Sequence, residues 1–114
     1  MSPITTHVLD IARGRPAQGV AVTLEIARDP GQWTELARGV TDGDGRIGQF
    51  DLPSVPLKPA VYRLRFATGA YFSAMGTRGF YPEVSVVVQI DEPAQHHHIP
   101  LLLSPFGYST YRGS

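Results

Sequence analysis

Glycine and proline cut this chain into segments too short for helices of ordinary length. There are 12 Gly and 10 Pro in 114 residues, and between them the apolar residues recur with a period of two. Val20, Val22, Leu24 and Ile26 alternate with Thr23 and Glu25. Val84, Val86, Val88 and Ile90 repeat the pattern further on. A period of two puts alternate side chains on opposite faces of a strand, so each segment buries one face. Short strands with one buried face, joined by turns, predict an all-β fold of two sheets packed face to face.

In chain order the spacing predicts strands over Ile4–Asp10, Val20–Ala27, Trp33–Val40, Ile47–Leu52, Val61–Thr68, Glu83–Ile90 and His96–Leu103, with a terminal strand in Gly107–Ser114. Breakers separate them: Arg13-Gly14-Arg15-Pro16, Asp29-Pro30-Gly31, the prolines 53, 56 and 59, and Asp91-Glu92-Pro93. Gly69–Gly76 is the one stretch that reads as a helix, about two turns long with glycine at each end. The expectation is a single domain over residues 1–114, a two-sheet sandwich of about eight strands and one short helix, with no repeat and no linker.

Composition narrows the function. Lys+Arg and Asp+Glu number 10 each, which argues against a general nucleic-acid or anionic-membrane surface. No apolar run approaches the roughly 20 residues a membrane span needs. The first residues, Met1–His7, carry neither a basic region nor an apolar signal core, so the reading expects a cytoplasmic protein. Cysteine is absent, which removes disulfides, thiolate nucleophiles and thiolate metal sites.

The polar residues cluster in three places. Thr41-Asp42-Gly43-Asp44-Gly45-Arg46 suggests a calcium loop, but Ile47 and Pro53 stand where an EF-hand requires glycine and an acid. A tight Asp-Gly turn remains, which sets Arg46 at the mouth of the next strand. His96, His97 and His98 are adjacent, and alternation puts His97 with Ile99, Leu101 and Leu103, leaving His96 and His98 on the other face. That pair admits three readings: a solvated sheet face, two ligands of a zinc ion, or acid–base catalysis by an imidazole that exchanges protons near neutrality. A catalytic zinc takes three protein ligands, and no cysteine or well-spaced acid stands on that strand. Acid–base work on a carbonyl-rich or anionic substrate calls for a fixed cation, for which Arg46 and Arg112 are candidates. The last eight residues, Gly107–Ser114, carry two tyrosines, two serines, a threonine and Arg112, an unusually well-built chain end.

Five stretches in order resemble the transthyretin-like family, in its branch of 5-hydroxyisourate hydrolases: Thr5-Thr6-His7-Val8-Leu9-Asp10 with Gly14-Arg15-Pro16-Ala17, Asp42-Gly43-Asp44-Gly45-Arg46, Phe80-Tyr81-Pro82-Glu83-Val84, His98-Ile99-Pro100-Leu101-Leu102-Leu103-Ser104-Pro105, and Tyr108-Ser109-Thr110-Tyr111-Arg112-Gly113-Ser114. The resemblance implies a transthyretin-type sandwich assembled as a homotetramer, a dimer of dimers, with sites where sheet faces of two subunits meet. It implies hydrolytic opening of a small-molecule lactam, 5-hydroxyisourate, with no metal and no cofactor. His7, Arg46 and His98 are the implied catalytic residues. His7, Arg46, Tyr111, Arg112 and Ser114 are the implied substrate contacts. A non-catalytic carrier of small ligands is the alternative within the same family, and the hydrolase residues are intact here. His97 stands where the family commonly has an aromatic residue, which the alternation makes a matter of packing.

Overall fold

The computed structural model describes residues 2–52 and 56–114. Nine β segments and one helix follow in order: β1 Ile4–Asp10, β2 Arg15–Pro16, β3 Ala21–Ala27, β4 Trp33–Val40, β5 Arg46–Ile47, β6 Ala60–Phe66, α1 Thr68–Ala74, β7 Val84–Ile90, β8 His97–Ser104 and β9 Gly107–Thr110. One sheet runs β2-β1-β8-β9 with β5 also paired to β1, and the other runs β4-β3-β6-β7. The pairing of β1 with β8 is parallel, from Ile4 opposite His97 to Asp10 opposite Leu103. A parallel pair needs a long connection, and the whole second sheet lies within it.

The predicted alternation decides what is buried. Ile4, Val8, Ile99, Leu101 and Leu103 of the first sheet meet Val22, Leu24, Leu64, Phe66 and Ile90 of the second in one apolar core. Each such side chain, fully withdrawn from water, contributes on the order of 1.5–3 kcal/mol before entropy is counted. The helix docks through Tyr71 and Phe72. The Tyr71 hydroxyl donates to the buried Asp10 carboxylate at 2.8 Å, and burial, reinforced by that carboxylate, pushes the phenol pKa up. Among the described residues no helix is long and apolar enough to cross a membrane.

Several boundaries differ from the sequence-based expectation, four of them informatively. The strand expected over Ile47–Leu52 stops at Ile47, because Phe50 is fully buried and the chain turns around it, Leu52 N–H donating to the Phe50 carbonyl at 2.9 Å. The breaker at Arg13–Pro16 contains β2, which folds back on β1 with Leu9 opposite Pro16. The helix begins at Thr68, inside the stretch assigned to the preceding strand. The final strand ends at Thr110 and does not reach Ser114. Pro53, expected to close the fourth strand, lies outside the described residues.

Candidate active site

The turn between β4 and β5 holds Arg46 by backbone chemistry. The Asp42 carboxylate accepts hydrogen bonds from the N–H groups of Asp44 (2.9 Å) and Arg46 (3.0 Å). These bonds, with Arg46's the larger cause, hold the Asp42 pKa below its ordinary value. Gly45 has φ +75°, and a Cβ there would lie 2.3 Å from the Val8 carbonyl oxygen, so only glycine lets the turn lie flat on β1. β5 then pairs with β1, setting Arg46 opposite His7. Because a carbonyl only accepts, the 2.9 Å contact from His7 Nε2 to the Asp44 carbonyl places the hydrogen on Nε2.

β8 and the residue before it supply the histidines. His97 is buried with Ile99 and Leu101, and its Nδ1–H donates to the Gln95 carbonyl at 2.9 Å. His96 and His98 face the other way and stack with centroids 6.3 Å apart. Both reach one group: Thr5 Oγ1 lies 2.8 Å from His96 Nε2 and 2.8 Å from His98 Nδ1. Burial, then the positive charges of Arg46, His7 and His96, pull the His98 pKa below 6.5. His98 is therefore a neutral imidazole at neutral pH, able to accept a proton.

Thr5, Thr6, Arg46, Ile47, Gly48, His96, His98 and Ser114 line a cleft of about 300 Å³. Arg46 has no carboxylate partner within ion-pair distance among the described residues. A larger cavity of about 610 Å³ between α1 and the Arg13–Gly19 segment contains no histidine. The chemistry favours the smaller one.

Of the residues singled out in the sequence, Arg46, His98 and Ser114 share this cleft, and His7 adjoins it across the β1–β5 pair. Tyr111 and Arg112 do not line it. They border a second depression with His97, Ile99 and Val86–Gln89 of β7, and Arg112 Nη2 donates to Gln95 Oε1 at 3.2 Å. The tail returns to the cleft only at Gly113, whose N–H donates to the His98 carbonyl at 2.8 Å. The cleft adds Thr5 and His96 to the site residues that the resemblance implies. Thr5 shares the predicted His7 face of β1, but its approach to His98 depends on a register that alternation cannot supply.

Such a molecule is a two-sheet β-sandwich with a polar small-molecule cleft on one sheet face, built from an arginine on a short edge strand and histidines at the start of a central strand. The chain belongs to the HIUase/Transthyretin family, whose model matches residues 4–113. It is 48% identical to the 5-hydroxyisourate hydrolase of Mus musculus over 114 residues, covering 99% of this chain and 96% of the mouse protein. Among solved structures, the Klebsiella pneumoniae 5-hydroxyisourate hydrolase superposes with TM-score 0.83 at 39% identity, over 97% of this chain and 98% of that one. Sea bream transthyretin, solved in complex with thyroxine, superposes with TM-score 0.89 at 35% identity, over 97% and 94% of the two chains.

Proposed function

We propose that this chain hydrolyses 5-hydroxyisourate, opening its lactam ring to 2-oxo-4-hydroxy-4-carboxy-5-ureidoimidazoline in the degradation of urate. The observation that carries the reading is a hydrogen-bonded His98 in one cleft with the guanidinium of Arg46. The named activity of relatives such as the mouse hydrolase supports the choice of substrate.

Lactam hydrolysis needs three services: a base for the attacking water, a positive or donor group for the oxyanion, and an acid for the departing nitrogen. His98 takes the proton from water and returns one to the nitrogen. Arg46 faces the scissile carbonyl and stabilises the negative charge that develops there. The backbone hold on its turn fixes where this side chain leaves the sheet. His7, whose Nε2–H is engaged by Asp44, adds positive potential when protonated and a ring nitrogen for orienting substrate. Ser114 orients the water from the tail side.

The same reading includes a homotetramer, a dimer of dimers, with each cleft closed by a neighbouring subunit. Its support is a cleft at the small end of the range for ligand sites, with exposed Val87, Tyr108 and Tyr111 on the surface of the same chain. Tyr111 and Arg112, turned away from their own cleft, reach substrate in this scheme only from a neighbouring copy.

A carrier reading has one observation behind it, the likeness to the thyroxine-bound sea bream protein. It leaves the paired histidines and their shared threonine without a task. Urate oxidase generates 5-hydroxyisourate in the cuvette, and its ultraviolet decay separates the two. Accelerated decay is the expected result; decay at the spontaneous rate, with saturable binding of substrate, would establish the carrier.

A further inference from the structure

Thr5 stands opposite His98 in the parallel β1–β8 register. It is only 5% exposed, so its hydroxyl is almost withdrawn from water. A hydroxyl carries one hydrogen, whereas two ring nitrogens lie 2.8 Å from this oxygen. When both rings are neutral, Thr5 donates to one of them and accepts N–H from the other. The two tautomers are therefore linked. If Thr5 donates to His96, His98 carries its hydrogen on Nδ1 and shows a bare Nε2. If Thr5 donates to His98, the pattern inverts and His98 Nε2 is an N–H.

Charge selects between the two patterns. His98 Nδ1 is taken by Thr5, so Nε2 is the ring nitrogen left for the cleft that also contains Arg46. A guanidinium favours a lone pair over an N–H dipole directed at it. We propose that Thr5 is a positioning residue that holds His98 in its Nδ1–H form by accepting that hydrogen and donating its own to His96 Nε2, so that Nε2 of His98 is the base. Its catalytic consequence rests on the hydrolase reading above.

The linkage also gives the proton a route. As Nε2 of His98 takes a proton from water, Nδ1 passes its own to Thr5 Oγ1, and the Thr5 hydrogen moves to His96 Nε2. His96 becomes imidazolium, and His98 is left neutral with hydrogen on Nε2, the form that donates to the departing nitrogen. The reverse transfer then restores both rings, so no proton is gained or lost by the protein over the cycle. Among the described residues, the charged and titratable side chains acting on His98 are Arg46 of β5, His7 of β1 and His96 from the preceding turn, and Ser114 of the tail lines the same cleft.

Nitrogen-edited NMR of the isotope-labelled free protein reads the tautomer directly, and stopped-flow turnover reads the consequence. In the wild type at alkaline pH His98 should be the Nδ1–H form. Thr5→Val keeps the shape and removes the hydroxyl; it should convert His98 to the Nε2–H form and lower kcat about 10- to 100-fold with little change in KM. His96→Leu frees the threonine hydrogen for His98 Nδ1 and should produce the same tautomer. Thr5→Ser should restore the Nδ1–H form and most of the turnover. An unchanged tautomer and kcat in Thr5→Val, or a Thr5→Ser protein as impaired as the valine variant, would overturn the proposal. A wild type that shows the linked tautomers without hydrolysing 5-hydroxyisourate would overturn the hydrolase reading and leave the linkage standing.

Discussion

The backbone N–H of Gly113 donates to the carbonyl of His98 at 2.8 Å, an isolated bridge three residues beyond the end of β9. A Cβ at Gly113 would lie 2.7 Å from His98 Cδ2 and 3.3 Å from Pro100 Cγ. The ring cannot retreat easily, because Thr5 holds its Nδ1. Gly113→Ala should therefore displace either the tail or the imidazole and cost about tenfold or more in kcat/KM, by misplacing reacting groups. The bridge lies outside the core, so the melting temperature should stay within a few degrees of wild type. Stopped-flow kinetics with a thermal melt checks both; full activity would show the tail to be dispensable.

Removing the base or the oxyanion partner should have the largest kinetic effect. His98→Asn and Arg46→Gln are expected to fold normally and to lose at least about a hundredfold in turnover. A near-normal rate in either would exclude that residue from the chemistry.

The pH dependence has a definite sign. Because burial and then Arg46 depress the His98 pKa below 6.5, the active neutral imidazole persists into mildly acidic solution, and turnover should fall only on the acid side of that value. Arg46→Gln removes a cation that opposes protonation, so the residual activity should lose its acid limb at higher pH. Stability follows the same group: the unfolded chain binds a proton at His98 more readily than the folded one. Folding stability from this residue is thus fully present above 6.5 and declines as pH falls toward the folded value. Denaturant melts should give wild type and His98→Asn stabilities that run parallel above 6.5 and differ in slope below it.

The turn that carries Arg46 should be intolerant at one glycine and tolerant at its neighbour. Gly45→Ala drives a methyl into the Val8 carbonyl at positive φ and should cost about 2–4 kcal/mol. A Cβ at Gly43 meets nothing within 4 Å, so Gly43→Ala should be close to neutral. Equal destabilisation of the two in urea titrations would contradict the close approach.

Much of this architecture is written in local pattern. Alternation accounts for the inward faces of β3 and β7, and the burial of Val22, Leu24, Ile26, Val84, Val86 and Ile90 follows it. It also separates His97 from His96 and His98. Where alternation is weak, the structure departs from the extended pattern. In 47–52, one aromatic residue buried from a turn outweighed the extended pattern. The tail likewise looked like a strand to its end because its composition favours β structure, whereas backbone pairing with β8 stops at Thr110 and resumes only at Gly113.

By itself, then, the sequence determined which residues turn inward, where Arg46 is anchored, and that two histidines share a face with no core partner. Those are consequences of side-chain period and of turn stereochemistry, both local. Only the tertiary structure decided that Thr5 meets His98 across a parallel pair separated by most of the chain. It also decided that Ser114 returns to the cleft while Tyr111 and Arg112 face away. Register between distant strands is set by how two apolar faces close on one core, and a one-residue slip in β8 would have turned His98 inward.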